Sequence, residues 1–64
     1  RVEYALIRYR TYYRHEAPKG FRAAYPPDPT PEGVLALGCL KGYWREEEEQ
    51  EARALIEHLL EVEG

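Results

Sequence analysis

The sequence predicts an α+β fold: a three-stranded antiparallel sheet (β-β-β-α) whose single C-terminal helix packs on one face, all in one small domain spanning residues 1–64. Three observations predict it. Residues 2–13 mix aromatic, β-branched and alternating basic side chains with no Gly or Pro. The run "GVLALGCL" is apolar on both of its alternating faces. The run "REEEEQEARALIEHLLEVE" has apolar residues at helical spacing and no helix breaker.

The first predicted strand runs from Val2 to about Tyr13. Side chains alternate along a strand, so Ala5, Ile7, Tyr9 and Tyr13 form one face. Tyr4, Leu6, Arg8, Arg10, Tyr12 and Arg14 form the other. "HEAPKG" follows as a turn, with Pro18 to interrupt pairing and Gly20 to take a positive φ. "FRAAYP" predicts a second strand with Phe21, Ala23 and Tyr25 on one face, ended by Pro26. "PPDPTPEG", with four prolines in eight residues, predicts a stiff surface loop. Its Pro26-x-x-Pro29 spacing formally fits a ligand of proline-binding domains, but the basic flank such ligands use is absent.

"GVLALGCL" is then the third strand, with Leu35, Leu37 and Cys39 on one face and Val34, Ala36 and Leu40 on the other. Gly38 inside it signals a bulge or a close approach of another group to the backbone. In the C-terminal helix, Ala52, Leu55, Ile56, Leu59 and Val62 make an apolar stripe. Glutamates in the first turns suit the helix dipole, and Glu49/Arg53 and Arg53/Glu57 are placed for i,i+4 pairing. Tyr43 or Trp44 can pack back on the first turns as a staple. One helix covers one sheet face, so the two-sided third strand calls for a further covering element.

At 64 residues the chain removes only about 60% of its unfolded surface from water, which leaves a marginal core. The single cysteine, Cys39, excludes an intrachain disulfide. With His15 and His58 it lacks the close spacing of a structural zinc site, and no metal or cofactor is expected. Absence of disulfides favours a reducing, cytoplasmic setting, and no apolar run is long enough for a membrane span. Eleven Glu against one Asp, seven Arg against two Lys, and no Asn, Ser or Met fit a thermophile or a GC-rich genome. The chain begins with Arg1 rather than Met, which leaves its native N-terminus open.

Charge is unevenly distributed under a net −3. Residues 1–22 hold six basic and two acidic side chains, whereas residues 45–64 hold two basic and eight acidic ones. Such a division implies two faces with different partners, or two parts that attract one another.

The order of elements, with "FRAAYPPDPTPEGVLALG" followed by "EEEEQEARALIEHLL", resembles the HicB-type antitoxin domain from about Tyr4 to Leu60. The resemblance implies a partly RNase H-like fold without catalytic residues, and a role in binding and neutralising a small RNA-cleaving toxin. The chain departs from that pattern in a longer first hairpin, a longer loop before Gly33 and the inserted "CLKGYW". The DNA-binding segment that many members carry is also missing.

Two functional readings follow. The first is a non-enzymatic protein-interaction module, antitoxin-like or homo-oligomeric, whose contacts are Arg8, Arg10, Tyr12 and Arg14. Tyr and Arg are enriched at protein interfaces, and an acidic helix can steer a basic partner. The second is nucleic-acid binding, with Arg8, Arg10 and Arg14 on phosphates and Tyr4 and Tyr12 stacking on bases. The acidic balance of the chain opposes it. No motif supports an enzyme: there is no nucleophile with an adjacent base, no phosphate loop and no metal cluster.

Overall fold

The computed structural model describes residues 1–63, and the side chains of residues 1–62. It overturns the α+β expectation, because the elements among the described residues are all helices. They are α1 (Val2–His15), α2 (Lys19–Ala24), α3 (Pro31–Lys41) and α4 (Glu49–Glu63), with a 3₁₀ turn, Glu46–Glu48, leading into α4.

Where the first strand was expected, α1 forms. Its buried residues are Val2, Ala5, Tyr9 and Tyr12, three or four positions apart, which is the repeat of a helix rather than a strand. Tyrosine and arginine fit either periodicity, so the odd–even alternation of Tyr4 to Arg14 was the weaker signal. The second predicted strand is the short helix α2, entered through Pro18 at its N-cap. Gly20 lies inside α2, and among the described residues the one with positive φ is Gly42, at 72°.

The predicted third strand is α3, and its ends explain why. Thr30 caps it, its Oγ1 accepting from the Gly33 N–H at 3.1 Å, and Pro31 occupies the first turn, where its missing N–H leaves nothing unpaired. At the other end Gly42 turns left-handed, the Tyr43 N–H reaches the Gly38 carbonyl at 2.8 Å, and the Gly42 N–H reaches that of Cys39 at 3.4 Å. Val34 and Leu37 of the run are buried because α3 packs on both α1 and α4, while Leu40 stays exposed. The covering element that a two-sided strand demanded is therefore supplied from within the chain.

Tyr9, Val34, Leu37 and Ile56 are the largest fully buried side chains, and they bring α1, α3 and α4 into one core. Two glycines of α3 admit aromatic rings against its backbone. A Cβ on Gly33 would meet the Tyr9 phenol, and one on Gly38 would overlap the Trp44 ring. Trp44, just before α4, thus packs on the α3 backbone at Gly38.

The α1–α2 corner is aromatic. Phe21 lies 5.2 Å from the Tyr12 ring, edge to face, and 4.8 Å from Tyr25. Arg22 caps α1 from α2, its Nε donating to the Tyr13 carbonyl at 3.1 Å and its Nη2 to that of Arg14 at 3.2 Å. The Tyr13 hydroxyl returns the contact, sharing its proton between the carbonyls of Arg22 and Tyr25.

In α4, Ala52 and Ile56 are buried and Leu59 is half-buried, but Leu55 and Val62 face outward, so the stripe is narrower than expected. Arg53 pairs with Glu57 at 3.2 Å and with Glu32 at 2.7 Å, which ties α4 to the start of α3. Among the described residues no helix is long and apolar enough to cross a membrane.

Candidate functional site

Coiling residues 2–15 into a helix redistributes the four side chains singled out for partner contact. Arg8 and Tyr12, one turn apart, lie on the flank of α1 that faces the rest of the molecule. Arg8 binds Glu16 at 2.9 Å, and Lys41 of α3 binds the other oxygen of the same carboxylate at 2.9 Å. Tyr12 is buried against Phe21, with the Lys41 ammonium 5.5 Å from its ring centre. Tyr12 holds α1 to α2 and Arg8 closes on Glu16 at the end of its own helix, and a buried Tyr12 has no face free for a base. Arg10 and Arg14 do remain on the outside.

Glu3, Ile7, Arg10 and Arg14 follow one another at intervals of four, three and four residues, so they form one outer stripe of α1. Ile7 is 75% exposed, more than Leu40, Leu55 or Val62. Beside it runs a shallow groove of about 350 Å³, lined by Glu3, Leu6, Ile7, Arg10, Pro29 and the Leu59–Leu60 pair of α4. Leu6, Leu59 and Leu60 are half-buried, and Val62 near the end of α4 is 69% exposed.

The stripe ends in a basic region. Arg10, Tyr13, Arg14, Arg22, Pro27 and Asp28 line a second hollow of about 540 Å³. Arg10 reaches Asp28 only at 3.7 Å, with both side chains largely in water, so this pair leaves the guanidinium available. Sequence reasoning missed Glu3, Ile7 and the two leucines of α4 as one surface. The spacing Glu3–Ile7–Arg10–Arg14 is visible in the sequence, but only once the segment is read with a helical period.

Electrostatics elsewhere are those of a pinned scaffold. The Lys41 ammonium, and then Arg8, hold the Glu16 carboxyl below the usual carboxylate range, and Glu16 in turn raises Lys41. Arg53 does the same for Glu32. Burial pushes the Tyr9 phenol up to about 12, with Tyr13 and Tyr25 adding to the effect, and its hydroxyl donates to the Pro26 carbonyl at 2.8 Å. Burial and the nearby Glu49 raise the Cys39 thiol, whose Sγ lies 3.9 Å from Glu49 Oε1. Glu49 therefore faces Cys39 rather than forming the ion pair with Arg53 that the spacing allowed.

Among the described residues no group of three or more His, Cys, Asp or Glu side chains could hold a metal ion. The chain matches no protein-family model, no curated protein and no solved structure.

Proposed function

We propose that this protein is a non-enzymatic interaction module that uses the outer face of α1, with the adjoining end of α4, to bind another protein chain. The observation that carries the proposal is Ile7. A branched apolar side chain stands three-quarters in water beside a groove floored by three half-buried leucines. A connected apolar patch with charged edges is the usual anatomy of a protein contact. Of the residues first expected to make that contact, Arg10 and Arg14 fit this face, while Arg8 and Tyr12 serve the fold. A chain whose one cysteine is unpaired suits a reducing cytoplasm, where we place it.

The HicB-type resemblance implied a small RNA-cleaving toxin as the partner, and the acidic α4 would suit a basic one. The sheet which that resemblance implied is not what the chain forms, so the proposal rests on the surface and takes nothing from the antitoxin role.

Site-specific photo-crosslinking in the producing cell tests the reading. A photoreactive side chain at Ile7 should give a discrete protein adduct, and one at Lys19, exposed on α2, should not. Equal labelling at both positions, or none at either, would overturn it.

A second reading is kept because Arg10, Arg14 and Arg22 converge on one hollow. This cluster could contact nucleic-acid phosphates, while the half-exposed Tyr4, first expected to stack on bases, lies against Tyr43 and not in that hollow. Tight, salt-dependent binding of a single-stranded oligonucleotide, lost on replacing Arg10 and Arg14, would favour it over the protein reading.

A further inference from the structure

Resting on that interaction reading, we infer that the occupant of the α1–α4 groove is a second copy of this chain, joined about a two-fold axis through α1. A two-fold contact must be complementary to itself, so every feature on the patch needs its opposite on the same patch. The stripe meets that condition twice. Ile7 is a projecting apolar side chain, and the groove lined by Leu6, Leu59, Leu60 and Pro29 is an adjacent apolar hollow. Glu3 and Arg10 flank Ile7 on the same stripe with opposite charge.

Two α1 helices crossing antiparallel place Glu3 opposite Arg10 of the second copy and Leu6 opposite Ile7 of the second copy. The same two contacts recur on the other side of the axis. Glu3 and Arg10 are seven residues apart, about 10.5 Å along a helix, so both ion pairs fit on either side of one crossing point. A parallel arrangement would instead set Glu3 against Glu3 and Arg10 against Arg10, which selects the antiparallel one. Arg10 is free to exchange its loose 3.7 Å contact with Asp28 for this partner.

Charge reversal tests the inference, with sedimentation equilibrium of the whole chain in reductant as the readout and far-ultraviolet circular dichroism as the check on folding. The altered side chains are exposed, so the helices should persist. Wild type should dimerise reversibly. Ile7→Glu should raise the dimer dissociation constant about a hundredfold, because the change is felt twice in a symmetric contact. Glu3→Arg alone and Arg10→Glu alone should each weaken the dimer about tenfold, and the double variant should recover it. A merely structural role for these residues predicts no such recovery.

A wild-type chain that stays monomeric to about millimolar concentration would overturn the inference. A dimer indifferent to all four variants would overturn it too. Either result leaves the interaction reading to the crosslinking experiment, where the mass of the Ile7 adduct separates a second copy from a different protein.

Discussion

The Trp44 indole sits so close to Gly38 that a Cβ at that position would overlap the ring. This contact joins the last turn of α3 to the entry of α4. Exchanging a helix-interior glycine for alanine normally stabilises by about 1 kcal/mol. Here overpacking should win, so Gly38→Ala is expected to destabilise by about 1–3 kcal/mol. That is a large share of the roughly 3–5 kcal/mol that a domain of this size holds. Chemical denaturation followed by circular dichroism checks it; an unchanged midpoint would mean that Trp44 moves aside at no cost.

Tyr9 should make the fold sensitive to strong alkali. Its phenol is raised from 10.0 to about 12 in the folded chain, so the folded state holds the proton more tightly than the unfolded one. The resulting stability is complete below about pH 10 and is lost as pH rises toward 12. Ultraviolet titration should show a phenol ionising near pH 12, and Tyr9→Phe should abolish that step. The same substitution removes the bond to Pro26 and should cost about 1 kcal/mol at neutral pH.

On the acid side the sign is opposite. Glu16 and Glu32 are both lowered from 4.5 by their cationic partners, so their stabilising effect is present above that value and fades as pH falls through the folded-state value. Thermal melts across the acid range should therefore show falling stability below about pH 4.5. Glu16→Gln should flatten that limb, and added salt should shrink the difference, since both carboxylates are exposed.

Cys39 is exposed, yet its thiol is raised by burial and by the carboxylate of Glu49. Because the thiolate is the reactive form, alkylation near neutral pH should run slower than for free cysteine. Glu49→Gln should accelerate it about two- to threefold by removing the adjacent negative charge. Equal rates for wild type and variant would rule out Glu49 as a cause.

The C-terminal helix was legible from sequence because its apolar positions recur at one period and nothing competes with them. Gly38 as a point of close approach was legible too. The first half of the chain was misread for a physical reason. Val2, Ala5, Tyr9 and Tyr12 carry the helical repeat, but Tyr4, Arg8, Arg10 and Arg14 add an even-numbered alternation that imitates a strand. In "TPEGVLALGCLKG" the capping signals at Thr30, Pro31 and Gly42 were present and outvoted by an apolar run too uniform to show any period. The functional surface inherited the same error. Arg10 and Arg14 survive on the outer face, Arg8 and Tyr12 turn inward, and Ile7, placed with Ala5, Tyr9 and Tyr13 on one strand face, stands three-quarters exposed while Ala5 and Tyr9 are buried.

The cap that Arg22 places on α1 bears on the order in which the molecule assembles. Tyr13 and Arg22 are separated by only nine positions, whereas Arg1 must travel forty-two to meet the Tyr43 carbonyl. Short separations close at small entropic expense, so the α1–α2 corner should be an early nucleus and the docking of α4 a late event. The hollow between Leu6 and Leu59 would then exist only once the last helix has settled.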